Sequence, residues 1–320
     1  MTVAGIRRPD TAAGQAVNAV AADLIAVLVA VTGAQPRVLT IQDASALPSG
    51  PFKMVHRSLQ TGLRDWVETQ THHPLGYVEQ LYTFADRDRA HKQGHTISIS
   101  YLGLTREGSA SGEQQAGWRN WYEFFPWEDH RAGPPPMIAE TILPGLGEWA
   151  SAIEPTAQDR KRRVAITFAT GARWNEELVL QRYELLFEAG LVAEAHRGGR
   201  GVRGDPSVLV PGLAMTSDHR RILATGIARL RAKIKYRPVV FELMPPAFTL
   251  LQLQRSVEAI AGRLVHKQNF RRLIEQQELV EETGATTQDT GGRPAKLFRF
   301  RRDVLAERAV VGTKLPLAPA

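Results

Sequence analysis

Residues 248–300 constrain this chain more than any other stretch, because helix, turn, helix and glycine-rich hairpin follow one another in order. Leu250, Leu253, Val257, Ile260 and Leu264 recur at three- and four-residue steps and put one apolar stripe on a helix. Thr249 with Gln252 three residues on has the pattern of a capping box, and Gly262 is suited to stop the helix. Gly262 to Val265 then gives the turn length of a helix-turn-helix. In the second helix, at about 100° per residue, Phe270, Leu273 and Ile274 share one face. Gln268, Arg271, Arg272 and Glu275 lie on the other, with Lys267 at its edge.

Glu278–Glu282 and Lys296–Phe300 read as two strands joined by a loop with Gly284, Gly291 and Gly292, tipped by Arg293 and Lys296. Together these parts predict a winged helix whose second helix and wing meet double-stranded DNA. The candidate contacts are Lys267, Gln268, Asn269, Arg271 and Arg272 in the helix and Arg293 and Lys296 in the wing. The competing reading is an ordinary α+β subdomain with a solvated charged face.

Charge supports the nucleic-acid reading. Residues 1–215 carry 21 basic and 23 acidic side chains, whereas residues 216–320 carry 19 and 10. Only the C-terminal third is basic, as expected of one domain that neutralises phosphates. The basic helix has a polar outer face without an aromatic wedge, so a membrane surface is not expected as its partner. The chain has no cysteine, which excludes disulfides and thiolate metal sites and fits a cytoplasmic protein. Arg7 and Arg8 before the alanine- and valine-rich run 16–34 resemble a signal peptide, but Asp23 interrupts the run. Leu24–Val31 and Arg37–Ile41 read better as a hairpin.

The remaining chain divides, on composition, into a lead-in (1–20), a first domain (21–195) with an aromatic-rich insertion (105–172), a linker (196–216), the DNA-binding domain (217–310) and a tail (311–320). In the insertion, Trp118, Trp121, Tyr122, Phe124, Phe125 and Trp127 suit core or a dimer interface better than stacking on an adenine. Glu128, Asp129 and His130 read as solvated charge. Arg160–Arg163 is a basic edge before a strand at Val164–Ala169, and Glu176–Ala189 is a helix stopped by Gly190. HRGGRGVRGDP (196–206) is glycine- and arginine-rich and matches neither a phosphate-binding loop nor a dinucleotide fingerprint. Ser217 or Asp218 caps a helix with the stripe Leu223, Ile227, Leu230 and Ile234.

Laid without gaps from Gly50, the segment resembles a degenerate Nudix box. His56 stands at the first Glu, Arg64-Asp65 at Arg-Glu, and Glu68-Thr69 at Glu-Glu. Glu79-Gln80-Leu81-Tyr82-Thr83-Phe84, Asp86-Arg87-Asp88-Arg89, the strand ending Tyr101-Leu102, Arg182-Tyr183-Glu184-Leu185-Leu186-Phe187-Glu188-Ala189-Gly190-Leu191 and Asn269-Phe270-Arg271-Arg272 extend the likeness. They resemble the Nudix-related, NrtR-like transcriptional regulators of bacterial NAD metabolism; the long form with FPWEDHR resembles the branch labelled NadQ.

The resemblance implies an α+β chain in which a degenerate Nudix-like α/β/α sandwich precedes a C-terminal winged helix-turn-helix. It implies a homodimeric repressor of NAD-biosynthesis genes whose effector is an adenine nucleotide such as ATP, NAD or ADP-ribose. Arg64, Glu68, Arg87 and Arg89 are its candidate effector contacts, since an arginine fork pairs with phosphate oxygens. Nudix hydrolases hold Mg²⁺ on the box carboxylates. With His56, Asp65 and Thr69 in those places, neither a catalytic residue nor a metal ligand is expected. The alternative is a hydrolase of nucleoside diphosphate derivatives with an accessory nucleic-acid domain.

Overall fold

The computed structural model describes residues 20–76, 78–85, 95–108, 115–152, 156–197, 209–287 and 294–301. Among them the strands are β1 (Val20–Thr32), β2 (Gln35–Thr40), β3 (Ser49–Pro51), β4 (Val78–Phe84), β5 (His95–Leu104), β6 (Gly117–Asn120), β7 (Val280–Thr287) and β8 (Ala295–Phe300). The α-helices are α1 (Leu59–Thr71), α2 (Leu143–Ser151), α3 (Ala157–Thr167), α4 (Val179–Glu188), α5 (His219–Lys233), α6 (Leu250–Ala261) and α7 (Lys267–Gln276). All but Val20 of the expected lead-in (1–20), the expected tail (311–320) with the last residues of the expected DNA-binding domain (302–310), and most of the expected linker (198–208) lie outside the described residues.

β1 is the centre of a mixed six-stranded sheet in the order β4-β5-β1-β2-β6, with β3 pairing β1. It is parallel to β5 and antiparallel to β2 and β3. The predicted first hairpin is β1–β2, turned at Gly33 and Ala34, both at φ 59. Two left-handed residues in a row are what a tight hairpin of matching twist requires. β1 is apolar on both faces because both are covered. Leu24, Ala26 and Leu28 meet α1 through Leu63 and Val67, while Ile25, Val27 and Val29 enter the larger core on the other side. Each fully buried Leu or Val here contributes roughly 1.5–3 kcal/mol.

The helices on that other face come from α4, α5 and α6. At Gly226 on α5, an added Cβ would stand 2.9 Å from Val27 Cγ1, so α5 approaches β1 at a distance only glycine allows. The crowded aromatics join the same core: Trp121, Tyr122, Phe124, Phe125 and Trp127 are all buried. The described residues thus form a mixed sheet between two helix layers, with the α6–α7 pair and the β7–β8 hairpin joined to its second face.

Three local expectations are corrected. Residues 160–169, read as a basic edge before a strand, form most of α3 and the turn after it. Arg160 and Arg163, one helical turn apart, both lie over the Trp149 ring, at 4.5 and 6.0 Å, and Arg163 pairs with Glu188 at 2.7 Å. Those contacts outweigh the strand preference of Val164, Ile166 and Phe168 and leave Ile166 61% exposed. Glu128 is not solvated but buried, for reasons given below. Leu273, placed on the inner face of the second helix, is 50% exposed.

Candidate nucleic-acid interface and Nudix-like site

The helix-turn-helix is built by local signals that operate as the sequence suggests. Gln252 N–H donates to Thr249 Oγ1 at 3.1 Å and Thr249 N–H to Gln252 Oε1 at 2.7 Å, closing the capping box that starts α6. Gly262 ends the helix at φ 69, its N–H donating to Glu258 O. A Cβ there would sit 2.4 Å from Glu128 O, so glycine is needed for space as well as for conformation. Glu258 accepts from Val265 N–H at 3.0 Å and from Gln254 at 2.9 Å, which ties down the turn into α7.

α7 buries Phe270 and Ile274 against this frame. Lys267, Gln268, Arg271, Arg272 and Glu275 face solvent, as expected for a recognition helix. Asn269 is exposed but borders a cavity beneath α7. The wing is the antiparallel pair β7–β8, clipped to the body where Phe248 and Phe298 exchange backbone hydrogen bonds at 3.0 and 2.8 Å. Phe241 stacks on Phe300 at 4.3 Å behind it. Lys296 pairs with Glu282 across the strands at 2.8 Å and stays 64% exposed. Such a surface pair is weak and can be exchanged for a phosphate. Arg293 lies outside the described residues.

In the Nudix-like domain, Ser58 Oγ accepts from Thr61 N–H to start α1. The box residues fall at its entrance and along it. Gly50 lies against Trp66, where a Cβ would stand 2.3 Å from the indole. His56 Nδ1 accepts from Lys53 N–H at 3.0 Å and its Nε2 is 4.0 Å from Asp65. Arg64 turns its fork to the carbonyls of Leu75 and Gly76, bracing the loop that leaves α1, and Glu68 is exposed. Arg87 and Arg89 lie outside the described residues. Among the described residues no three His, Asp or Glu side chains converge as a metal site.

A charged cluster that sequence reasoning missed joins the two parts. Glu128 is 1% exposed and receives Arg182 of α4 at 2.5 and 2.9 Å and Arg231 of α5 at 2.6 Å. Arg231 also donates to the carbonyls of Ile260 and Glu176 at 2.8 and 3.0 Å, and Tyr122 donates its hydroxyl to Ala259 O at 2.8 Å. Burial pushes the Glu128 carboxyl up, but the Arg182 and Arg231 guanidiniums outweigh this and hold it below the usual range. The same burial raises the Tyr122 phenol. His130 N–H adds a bond of 2.7 Å to Gly262 O, so residues 122–130 hold the end of α6 where it turns toward α7. The sequence signals for this were Arg182 inside its motif and Glu128 inside FPWEDHR, neither of which names a partner.

A mixed sheet between helix layers, with α7 and a wing exposed at the C-terminal end, defines a Nudix-like domain joined to a winged helix DNA-binding domain. Residues 240–300 match the model of the NrtR DNA-binding winged helix domain. The ADPR responsive transcriptional repressor NtrR of Acinetobacter baylyi is 41% identical over 88 residues, 28% of this chain and 35% of that protein. The match thus spans about a third of the relative's length. The fold is similar to that of Shewanella oneidensis NrtR in complex with a 27mer DNA, at TM-score 0.53 and 18% identity over 89% of this chain and 95% of that one. It is also similar to a MutT/nudix family protein from Enterococcus faecalis, at TM-score 0.52 and 15% identity over 92% and 90% of the two chains.

Proposed function

We propose that this chain is a transcriptional repressor that binds operator DNA through α7 and the β7–β8 wing and responds to ADP-ribose in its Nudix-like domain. The observation that carries the reading is the exposed Lys267, Gln268, Arg271 and Arg272 face of α7 on a winged helix that matches the NrtR domain. Bidentate arginines read guanine in the major groove, and lysines supply the phosphate attraction. Asn269, Lys296 and Arg293 complete the proposed DNA contacts.

ADP-ribose is favoured over ATP and NAD because the Acinetobacter relative is named for it. Arg64, Glu68, Arg87 and Arg89 are its proposed contacts, and Arg64 would exchange its carbonyl partners for phosphate. His56, Asp65 and Thr69 at the acidic box positions favour binding without hydrolysis. The repressor acts in the cytoplasm as a homodimer on palindromic operators of NAD-biosynthesis genes, since two-fold proteins read two-fold sites. No helix among the described residues is long and apolar enough to cross a membrane.

Selection of duplexes from a random-sequence pool by the full-length chain tests this. Enrichment of one two-fold-symmetric sequence is the expected result; recovery without sequence preference contradicts it.

A further inference from the structure

A cavity of about 610 Å³ lies between the end of α5, the 236–241 segment, α6 and α7, where the winged helix meets the 173–176 segment, and apart from the Nudix box on α1. Its floor is aliphatic, from Val240, Leu253, Val257, Ile274 and Leu279. Leu264 and Leu273 also line it while remaining 63% and 50% exposed, an apolar surface that water covers at a cost. The size is in the range of small-molecule sites, and a mostly apolar lining with a few charged groups is their usual chemistry.

Those charged groups are almost all cationic. Arg173, Arg231, Lys235, Arg237 and Arg263 border the cavity, against a single lining carboxylate, Glu176; Arg231 is already matched by Glu128 at 2.6 Å and Lys235 also by Glu177 at 2.6 Å. Glu176 already serves Lys235 at 2.9 Å and Arg263 at 3.3 Å. Arg173 and Arg237 reach no carboxylate among the described residues. Arg263 Nε is buried without an acceptor, a donor left unmet at the rim.

We propose that this cavity is a second ligand site, taking an anionic amphiphile: a carboxylate at Arg263 and Arg237 with an aliphatic body on the Val257–Ile274 floor. A nucleotide suits it less well. Its floor is aliphatic where a purine needs an aromatic face; of the aromatic rings in its lining, Phe241 and Phe270 are buried and Tyr236 is exposed. Asn269, Phe270 and Leu273 belong to α7, so occupancy acts on the helix proposed to meet DNA. The site does not depend on ADP-ribose being the effector.

Calorimetric titration of the full-length chain with decanoate, decanol and acetate tests the proposal. Decanoate is expected to bind saturably at one site per chain, decanol about tenfold more weakly or worse, and acetate not at all. Arg263→Gln is expected to weaken decanoate by about tenfold, and Val257→Trp, which fills the floor, to abolish binding. Should Val257→Trp fail to unfold cooperatively, Arg263→Gln decides. Absence of saturable binding, equal binding of decanol, indifference to Arg263→Gln, or competitive displacement of decanoate by ADP-ribose would overturn the proposal.

Discussion

Glu128 and Arg231 are 103 residues apart in sequence, yet Arg231 Nη1 donates to Glu128 Oε2 at 2.6 Å inside a site closed to solvent. With Arg182 on the same carboxylate, one glutamate holds α4, α5 and, through Arg231 and Tyr122, the end of α6. A change in the Nudix-like domain that moves α4 would therefore reach the helix-turn-helix through this knot. Coupling between effector and DNA requires that this knot take a second arrangement which the two ligands favour differently, rather than mere proximity.

Replacing Glu128 with Gln leaves two buried guanidiniums without a counter-charge and is expected to destabilise the chain by about 3–5 kcal/mol, read by denaturant unfolding at neutral pH. The knot also sets a pH dependence. Its folded carboxyl titrates below the ordinary 4.5, so the stabilisation is complete above that value and is lost as pH falls through the depressed one. Glu128→Gln should flatten this acid limb.

His219 gives a second, separable window. It is 9% exposed, its Nδ1 accepts from Leu47 N–H at 2.9 Å, and burial lowers it from 6.5 to about 4. The unfolded chain takes a proton near 6.5 that the folded chain refuses, so stability is full above 6.5 and falls between 6.5 and about 4. The loss is on the order of 3 kcal/mol. Unfolding midpoints across that range, compared with His219→Asn, should show the slope in the native chain and lose most of it in the variant. NMR titration of the imidazole should find it neutral at pH 6.

On α7, Arg271→Ala or Arg272→Ala is expected to cost roughly 1–3 kcal/mol of operator binding and to relax specificity at one base pair. Lys267→Ala should weaken all sequences alike and shallow the salt dependence by about one phosphate contact. Gel-shift titrations on the selected operator and on a scrambled duplex distinguish these. Unchanged operator affinity in both arginine variants would remove α7 from the interface.

With Mg²⁺, the full-length chain is expected not to turn over ADP-ribose at the roughly 1–1000 per second of ordinary enzymes. Product analysis by chromatography checks this. Metal-dependent turnover that disappears in Glu68→Gln would revive the hydrolase reading.

The winged helix was legible because its signals are local. Thr249 and Gln252 cap each other within one turn, Gly262 stops the helix, and Phe270 and Ile274 mark the buried face. Leu273 misled because angular position alone did not reveal the cavity beside it. The Nudix-like sheet was legible at the β1–β2 hairpin, where two apolar runs and the turn between them lie next to each other. The Glu128 knot was not, since its partners stand 54 and 103 residues away and a Glu-Asp-His run looks solvated until burial is known. For the same reason residues 164–169 read as a strand behind the basic edge 160–163: Trp149 and Glu188, which hold the segment as a helix, are outside any local window.

Reciprocal titration decides whether effector and operator are coupled in this protein. Operator affinity is measured with and without ADP-ribose, and ADP-ribose affinity with and without operator. Each ligand is expected to change the other's affinity by the same factor, roughly 5- to 150-fold. Undetectable ADP-ribose binding, or binding that leaves operator affinity unchanged, would contradict this coupling.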